Sequence, residues 1–182
     1  GKDRSGGLQH LQQYSSEYGF AVEEIPEQDI HDVAVSSTKI RQAILSGDIE
    51  TANDFLGYPF CLTGKVIKGD QIGRKLGFPT ANLFIEETYK LIPADGIYAV
   101  ELSLLNSGQQ LKGMAYIGHR PTVNGMTRNI EVNIFDFGED IYGERIRLAF
   151  LKFIREDQKF SSLEQLTEQL KQDEIAVRKV IS

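Results

Sequence analysis

The hydrophobic pattern of this chain changes its period near residues 57–59, and that change constrains the fold more than any other feature. Before this point the apolar residues recur mostly at helical spacing, with one strand-like alternation over residues 20–25. After Phe60 they alternate with a period of two, and turn-forming residues separate the alternating segments. Several short strands divided by turn residues are typical of an antiparallel barrel or sandwich. The six predicted strands cover residues 61–67, 81–85, 97–105, 111–117, 129–135 and 146–153.

Helices are predicted before the strands. One follows Gly7, where leucines and tyrosines have amphipathic spacing. The hydroxyl residues 36–38 can cap a second helix, which Gly47 would end. Asp48 can cap a third helix over residues 49–56.

The pattern after the last strand is again helical. Ser161 and Glu164 have the spacing of a capping box, and the leucines that follow form one apolar stripe. We predict a helix here and another over residues 173–181. The fold class is therefore mainly β, with C-terminal helices after the barrel and an α/β segment before it.

Composition and charge exclude several classes of function. The net charge of −6 over 182 residues disfavours non-specific binding to nucleic acid, because an acidic surface repels phosphates. No apolar run reaches the roughly 18 residues of a membrane span. Cys61 is the one cysteine, so no internal disulfide or thiolate metal site can form. We expect a cytoplasmic protein and, since the chain begins with glycine, a piece of a longer one.

A glycine-rich basic segment begins at the first predicted strand. Four glycines within fourteen residues alternate with four cationic side chains. Glycines let backbone amides turn toward an anion and cations add charge there, which suits a polyphosphate. A glycine-rich hairpin with solvated lysines is an equally good interpretation of the spacing alone. The glycines are Gly64, Gly69, Gly73 and Gly77, and the cations are Lys65, Lys68, Arg74 and Lys75.

Two oxygen-bearing side chains follow this segment. Thr80 and Asn82 are two residues apart, so they share one face if the segment is a strand. Hard cations such as Mg²⁺ prefer oxygen ligands completed by phosphates and water. Thr80 and Asn82 could hold such a metal, although an asparagine that closes a turn is the commoner explanation of this pattern.

A single carboxylate stands out in the fifth predicted strand. Ile130, Val132 and Ile134 share one face, and Glu131 and Asn133 occupy the other. A carboxylate among apolar neighbours can act as a general base for a substrate hydroxyl. A glutamate on the exposed face of an edge strand is the commoner explanation of such a pattern.

Taken together, the motifs resemble a riboflavin kinase domain over residues 58–182. The resemblance begins with the glycine segment and continues in order and at similar spacing to the C-terminal region. The matching residues are Gly64, Val66-Ile67, Gly69-Asp70, Gly73-Arg74, Leu76-Gly77-Phe78-Pro79-Thr80-Ala81-Asn82, Pro93, Asp95-Gly96-Ile97-Tyr98, Ile117-Gly118, Arg120-Pro121-Thr122, Ile130-Glu131-Val132, Tyr142-Gly143, Phe153-Ile154-Arg155 and Phe160.

The upstream part, residues 1–57, resembles the end of a flavin-mononucleotide adenylyltransferase domain. Residues 1–7 are similar to that family's glycine-rich phosphate region. In bacteria the two domains are fused as a bifunctional FAD synthetase. The family's His-x-Gly-His motif is absent from this chain, so we expect no adenylylation by it. The residues similar to the family's nucleotide motif are Ser36, Ser37, Thr38 and Arg41.

The resemblance implies a six-stranded Greek-key barrel with a C-terminal helix and a set of roles. Thr80 and Asn82 would bind Mg²⁺ or another divalent cation and the phosphates of ATP. Glu131 would take the proton of the riboflavin 5′-hydroxyl. The implied phosphate-covering flap comprises Gly64, Gly69, Gly73, Arg74 and Gly77, and the implied flavin-side candidates are Arg120, Tyr142, Arg155 and Phe160.

Two other functions stay open at this point. A nucleotidyltransferase would make FAD from FMN and ATP. A non-catalytic barrel would bind flavin or an oligonucleotide without consuming ATP, and it would not need the glycine segment, Thr80, Asn82 and Glu131 together. The expected partners are small molecules, ATP and riboflavin or FMN, with neither nucleic acid nor a membrane among them.

Overall fold

The computed structural model describes residues 7–24, 29–30, 33–69, 72–122 and 125–181, and it divides into two compact units. The first unit ends at Val35 and the second begins at Ser36.

The first unit contains one helix and one short strand pair. Helix α1 (Leu8–Tyr18) ends at Gly19, whose φ of 68° is the left-handed conformation that glycine adopts readily. Strands β1 (Asp29–Ile30) and β2 (Val33–Ala34) pair antiparallel. The predicted strand over residues 20–25 is wrong for residues 20–24, which pair with no described strand, and Ile25 lies outside the described residues.

The second unit opens with the two predicted helices, α2 (Ser37–Ser46) and α3 (Ile49–Leu56). The Ser36 hydroxyl accepts from the Lys39 amide at 3.3 Å and caps α2. The Asp48 carboxylate accepts from the Thr51 amide at 3.2 Å and caps α3. Both caps satisfy backbone donors that the first helical turn leaves without partners.

Helix α3 packs on the barrel through polar and apolar contacts. Ile49 is fully buried in the barrel core. The Asn53 amide donates to the carbonyl of Phe150 at 2.9 Å and accepts from the amide of Phe60 at 2.7 Å. The boundary predicted after residue 57 separates a segment similar to an adenylyltransferase domain from the barrel domain, and it stays a prediction. In the structure, α2 and α3 belong to the same compact unit as the barrel.

Six antiparallel strands form a closed barrel. In chain order they are β3 (Cys61–Ile67), β4 (Thr80–Phe84), β5 (Gly96–Leu104), β6 (Gln110–Thr122), β7 (Gly125–Ile134) and β8 (Arg145–Arg155). Their order around the barrel is β3-β4-β7-β6-β5-β8. Strands β5, β6 and β7 are sequential neighbours and β8 returns beside β5, which is the Greek-key arrangement. This confirms the predicted barrel.

Side chains alternate between a core inside the barrel and an outer face. Leu62, Val100 and Leu148 point inward and are at most 1% exposed. On part of the outer face, helix α5 (Leu163–Val180) covers Met114 and packs Val177 against the strands. Burying apolar surface on both sides of the wall stabilises the barrel at roughly 25 cal/mol per Å².

Two details of the predicted elements are wrong. The chain has one C-terminal helix, α5, where two were predicted, and Ser162 rather than Ser161 caps it by accepting from the Gln165 amide at 3.3 Å. Strands β6 and β7 also extend beyond their predicted ends, and their pairing continues to Thr122↔Gly125. Gly118 and Pro121 are turn-forming residues and suggested the end of a strand. Both lie within the paired region of β6 and β7, opposite Asn129 and Met126.

Candidate active site

Strands β4 and β7 are neighbours, and they bring three predicted site residues together on the outer face of the barrel. Asn82 is paired with Glu131 and Thr80 with Asn133. Ala81 and the other inward residues pack in the core, so the polar side chains point away from it. The alternation of each strand therefore places the polar residues of both on one surface.

The Glu131 carboxylate accepts two hydrogen bonds. The Thr80 hydroxyl donates to Oε2 at 3.0 Å, and the Asn129 side-chain amide donates to Oε1 at 2.7 Å. Glu131 is partly buried, and β7 lies between β4 and β6 in a closed barrel. The alternative of an exposed glutamate on an edge strand is excluded, because β7 is not an edge.

Asn82 lies inside strand β4 and is only 6% exposed, so it does not close a turn. Gly69 packs directly against its side chain: a Cβ built on Gly69 would lie 2.1 Å from Asn82 Nδ2. A side chain at position 69 would displace Asn82 or the segment that covers it.

Residues 72–78 of the glycine segment form the glycine turn, a compact turn over Thr80. It contains the short helix α4 (Ile72–Lys75), and the Phe78 amide donates to the Gly73 carbonyl at 2.8 Å. A Cβ on Gly73 would lie 2.3 Å from the Phe78 carbonyl oxygen, and Gly77 has a φ of 85°. Both glycines are therefore required by the shape of the turn.

Gly64 lies elsewhere. It is buried within strand β3, and a Cβ there would lie 2.5 Å from the Phe84 carbonyl oxygen and 2.9 Å from the Leu83 side chain. The structure thus places Gly64 in the barrel wall, where close packing accounts for it, rather than in the turn over Thr80.

A cavity of about 210 Å³ opens beside Thr80. Arg74 contributes a cation to its lining and Tyr142 a ring, and Lys68 Nζ lies 5.7 Å from the centre of that ring. Apolar side chains from inside the barrel and from the β7–β8 connection also line it: Val66, Val132, Ile134, Phe137 and Ile141. Glu139 and Asp140 of the same connection add two carboxyl groups. The apolar part of this lining suits a planar apolar group, and Arg74 suits an anionic tail.

The flavin-side candidates lie in different places. Arg155 binds Asp173 of α5 through two hydrogen bonds, 2.8 and 2.7 Å long, and lies 5.9 Å from the centre of the Phe160 ring. Tyr142 lies apart from these two, in the cavity lined by Arg74. Arg120 is in strand β6, and its side chain lies outside the described part of the structure.

Tyr116 and Asp157 are site neighbours that sequence reasoning missed. Tyr116 is paired with Glu131 across β6 and β7, and its hydroxyl donates to the Asp157 carboxylate at 3.2 Å. Burial and the negative charge of Asp157 raise the pKa of Tyr116 to about 12, so the phenol stays protonated at neutral pH. No sequence signal links residues 41 positions apart. They meet because β6 and β8 flank β5, where Ile97 is paired with Tyr116 on one side and with Arg155 on the other.

A charged cluster braces the end of strand β7 nearest the hairpin. Arg128 donates to Asp95 at 2.7 Å and to the Ile92 carbonyl at 2.9 Å, and His119 Nδ1 contacts the same carboxylate. Burial opposes ionisation of Asp95, but the hydrogen bonds from Arg128 and His119 outweigh it and lower the pKa of its carboxyl. Asn129 follows Arg128 directly, so the cluster fixes the strand where the site begins.

The residues resembling an adenylyltransferase motif lie on helix α2. Ser36 is its cap, whereas Ser37, Thr38 and Arg41 are exposed. The start of a helix accounts for residues 36–38. A nucleotide-binding role for these three residues and Arg41 stays a prediction.

The donor set of the site fits a hard cation. Thr80, Asn82 and Glu131 offer a hydroxyl, an amide and a carboxylate oxygen, the ligand types that Mg²⁺ binds. Among the described residues no group of three or more His, Cys, Asp or Glu could enclose a metal. A cation held here would therefore need oxygens from phosphate and water as well.

Within the described ranges, no helix is both long and apolar enough to cross a membrane.

The chain is similar in sequence and in fold to known proteins. The family model described as "Flavokinase: Riboflavin kinase" matches residues 56–181. The chain is 39% identical over 179 residues to the bifunctional riboflavin kinase/FMN adenylyltransferase of Escherichia coli K12, covering 98% of this chain and 56% of the relative. It is 41% identical over 155 residues to the Bacillus subtilis protein of the same name, covering 84% of this chain and 47% of that relative.

Among solved structures, a crystal structure described as a macrolide-efflux protein from Streptococcus pneumoniae is similar at a TM-score of 0.85 and 39% identity. The match covers 93% of this chain and 54% of that one. The chain thus spans about half the length of the relatives it matches. It belongs to the riboflavin kinase family.

Proposed function

We propose that this chain transfers the γ-phosphate of ATP to the 5′-hydroxyl of riboflavin, giving FMN and ADP. The observation that carries the proposal is the 3.0 Å contact between the Thr80 hydroxyl and the Glu131 carboxylate. It brings the proposed metal and phosphate ligand beside the proposed base, at the rim of the cavity lined by Arg74 and Tyr142. Family membership and the names of the relatives support the same reaction.

The cavity beside Thr80 is the proposed site for ATP. Its apolar lining suits the purine, and Arg74 offers charge to the phosphates. The amides of Leu76, Gly77 and Phe78 donate within the turn over Thr80. Arg74 and the remaining amides of the turn are therefore the groups we expect to face the phosphates.

Thr80 and Asn82 are the proposed ligands of a divalent cation, with phosphate oxygens as partners. Such a cation supplies neutralisation of phosphate charge. The chain's own contribution is alignment: β4 fixes both oxygen ligands on one face, and Gly69 closes the cover over Asn82. The same cover excludes water, which limits hydrolysis of ATP.

Glu131 is the proposed base. The oxygen of the riboflavin 5′-hydroxyl forms a bond to the γ-phosphorus while the bond from phosphorus to the ADP oxygen breaks. The hydroxyl proton passes to Glu131 Oε2 and then to solvent. In the ligand-free structure Oε2 accepts from Thr80, so the substrate hydroxyl would replace an existing donor.

Incubation of the purified chain with riboflavin, ATP and Mg²⁺ tests the proposal. We expect FMN and ADP in equal amounts and no FAD, measured by chromatography of the flavins and nucleotides. Quenched flavin fluorescence without ATP consumption would contradict the proposal and support the non-catalytic flavin-binding barrel instead.

We propose further that the longer protein also adenylates FMN. The relatives named for both activities are nearly twice as long as the matched region. FAD formation by a full-length protein, and not by this chain, would support this second activity. Full-length protein that stops at FMN would contradict it.

A further inference from the structure

We infer that Asn129 is a positioning residue for the phosphoryl transfer: its side-chain amide holds Oε1 of Glu131, so that Oε2 faces Thr80 and the acceptor hydroxyl. The inference rests on the proposed kinase activity and deepens it. It concerns a residue that acts through Glu131 and need not touch the substrate.

The contact is short and directional. Asn129 Nδ2 lies 2.7 Å from Glu131 Oε1, and both residues are partly buried. An ionised carboxylate can only accept hydrogen bonds, so the amide must present its NH₂ group to it. Hydrogen bonds to a charged acceptor are stronger than neutral ones, and this one restricts rotation of the carboxylate.

The strand holds Asn129 in place for this task. Asn129 and Glu131 are two residues apart on β7, so both side chains project from the same outer face. The facing residue on β6 is Gly118, and the Tyr116 ring fills the place of a side chain there: a Cβ on Gly118 would lie 2.0 Å from the Tyr116 hydroxyl oxygen. Next to Asn129, Arg128 is anchored on Asp95 and the backbone of residues 92–93.

The two carboxylate oxygens therefore have different tasks. Oε1 accepts a hydrogen bond from the Asn129 side-chain amide, and this amide does not act as a base. Oε2 is bound by the Thr80 hydroxyl, on the side where ATP and its cation are proposed to lie. When the substrate hydroxyl takes over Oε2, Asn129 still fixes the orientation of the carboxylate.

An isosteric substitution separates positioning from simple packing. Asn129→Asp preserves the shape of the side chain but replaces the donor with a second carboxylate. Two carboxylates at this distance repel each other or share a proton. Repulsion turns Oε1 away, and a shared proton leaves Glu131 a weaker base. Asn129→Ala removes the donor without adding charge. If Asn129 only fills space, Asn129→Asp is the milder change; if it positions Glu131, Asn129→Asp is the more severe one.

Steady-state kinetics of FMN formation on the 182-residue chain test the inference. We expect kcat to fall about 10-fold for Asn129→Ala and about 100-fold for Asn129→Asp, with the KM for ATP unchanged within about 2-fold. Asn106→Asp in the exposed turn between β5 and β6 adds the same charge far along the barrel, and it should keep wild-type kinetics. Thermal unfolding of each variant verifies that it is folded.

An active wild-type chain in which Asn129→Asp turns over as fast as Asn129→Ala, or faster, would overturn the inference and leave the proposed function standing. A loss confined to the KM for riboflavin or ATP would also overturn it, because a positioning residue acts on kcat. A wild-type chain that forms no FMN would overturn the proposed function and this inference with it.

Discussion

The outer wall of the barrel has an apolar region and a polar region. Met114 and Tyr116, two residues apart on β6, show how the surroundings change along one strand. Met114 is 4% exposed and lies under helix α5, in an apolar layer with Val177. Tyr116, two residues farther along the same face, is paired with Glu131 and bonded to Asp157. The helix covers an apolar surface that stabilises the fold. The glycine turn adds Phe78 to that apolar layer, but it also lies against polar Thr80, and Gly69 lies against Asn82.

This comparison shows how a single barrel wall can supply both stability and a reaction site. Burying apolar surface under a helix is favourable by itself. Burying Asn82 and part of Glu131 requires hydrogen-bond partners, because unpaired polar groups are costly in low dielectric. Substitutions under the helix should therefore change the free energy of unfolding, and those under the turn should change catalysis.

Glu131→Gln should have the largest effect on catalysis. The amide cannot accept the hydroxyl proton, so kcat should fall about 10²- to 10⁴-fold, while the free energy of unfolding changes little. FMN formation and chemical denaturation measure the two quantities. Glu101→Gln, at an exposed position on β5, is the matched control. A folded Glu131→Gln variant with near-normal turnover would remove Glu131 as the base.

Asp173→Ala should have the largest effect on stability. Asp173 is 2% exposed and binds Arg155, so its removal leaves a nearly buried cation unpaired, and unfolding should become easier by about 3 kcal/mol. Asp136→Ala breaks the solvent-exposed pair with Arg178 and should change the free energy of unfolding far less. Equal losses in the two variants, measured by urea unfolding, would contradict the structural importance of the Arg155 pair.

Gly69→Ala tests the cover over Asn82. The added methyl group would lie 2.1 Å from Asn82 Nδ2, so either the amide or the turn must move. We expect kcat/KM for Mg·ATP to fall about 10- to 100-fold, since small displacements of aligned groups are expensive in catalysis. Gly7→Ala, where a Cβ meets nothing within 4 Å, should have no such effect. Unchanged kinetics in Gly69→Ala would show that the turn does not need this contact.

Tyr116→Phe should have the smallest effect. Glu131 is paired with Asn82 on one side and with Tyr116 on the other, so Tyr116 lies away from the proposed metal ligand and on the side left for riboflavin. The variant loses the hydrogen bond to Asp157 and keeps the ring, so the KM for riboflavin should rise about 3- to 10-fold while the KM for ATP stays the same. Tyr89→Phe, at a position that is 79% exposed, is the control. A rise in the KM for ATP instead would place Tyr116 on the donor side of Glu131.

The elements were largely predictable because local rules determine them. Alternation with a period of two predicted all six barrel strands, and hydroxyl and carboxylate caps predicted α2 and α3. The ends of β6 and β7 were missed because Pro121 and Gly118 suggested breaks that pairing within a long hairpin overrides. The division of α5 into two helices was wrong because nothing in the chain ends the helix before Val180.

The site could be predicted only in part. The family resemblance pointed to Thr80, Asn82 and Glu131 as site residues, and the structure brings these three together. It separates Gly64 from the turn and Tyr142 from Arg155, because burial and strand position are not visible in motif spacing. Asn129 could have been found, since it shares a strand face with Glu131. Tyr116 could not, since its position depends on the register between two strands.

The residues on each face of each strand can be read from the sequence, because the alternation of side chains along an extended backbone is a local property. Which faces meet depends on how the strands pair in the folded barrel. The pairing of β4 with β7 joins residues about fifty positions apart, and barrel closure makes β7 an interior strand instead of an edge. Those contacts arise from burying one common core, and no short stretch of sequence contains that information.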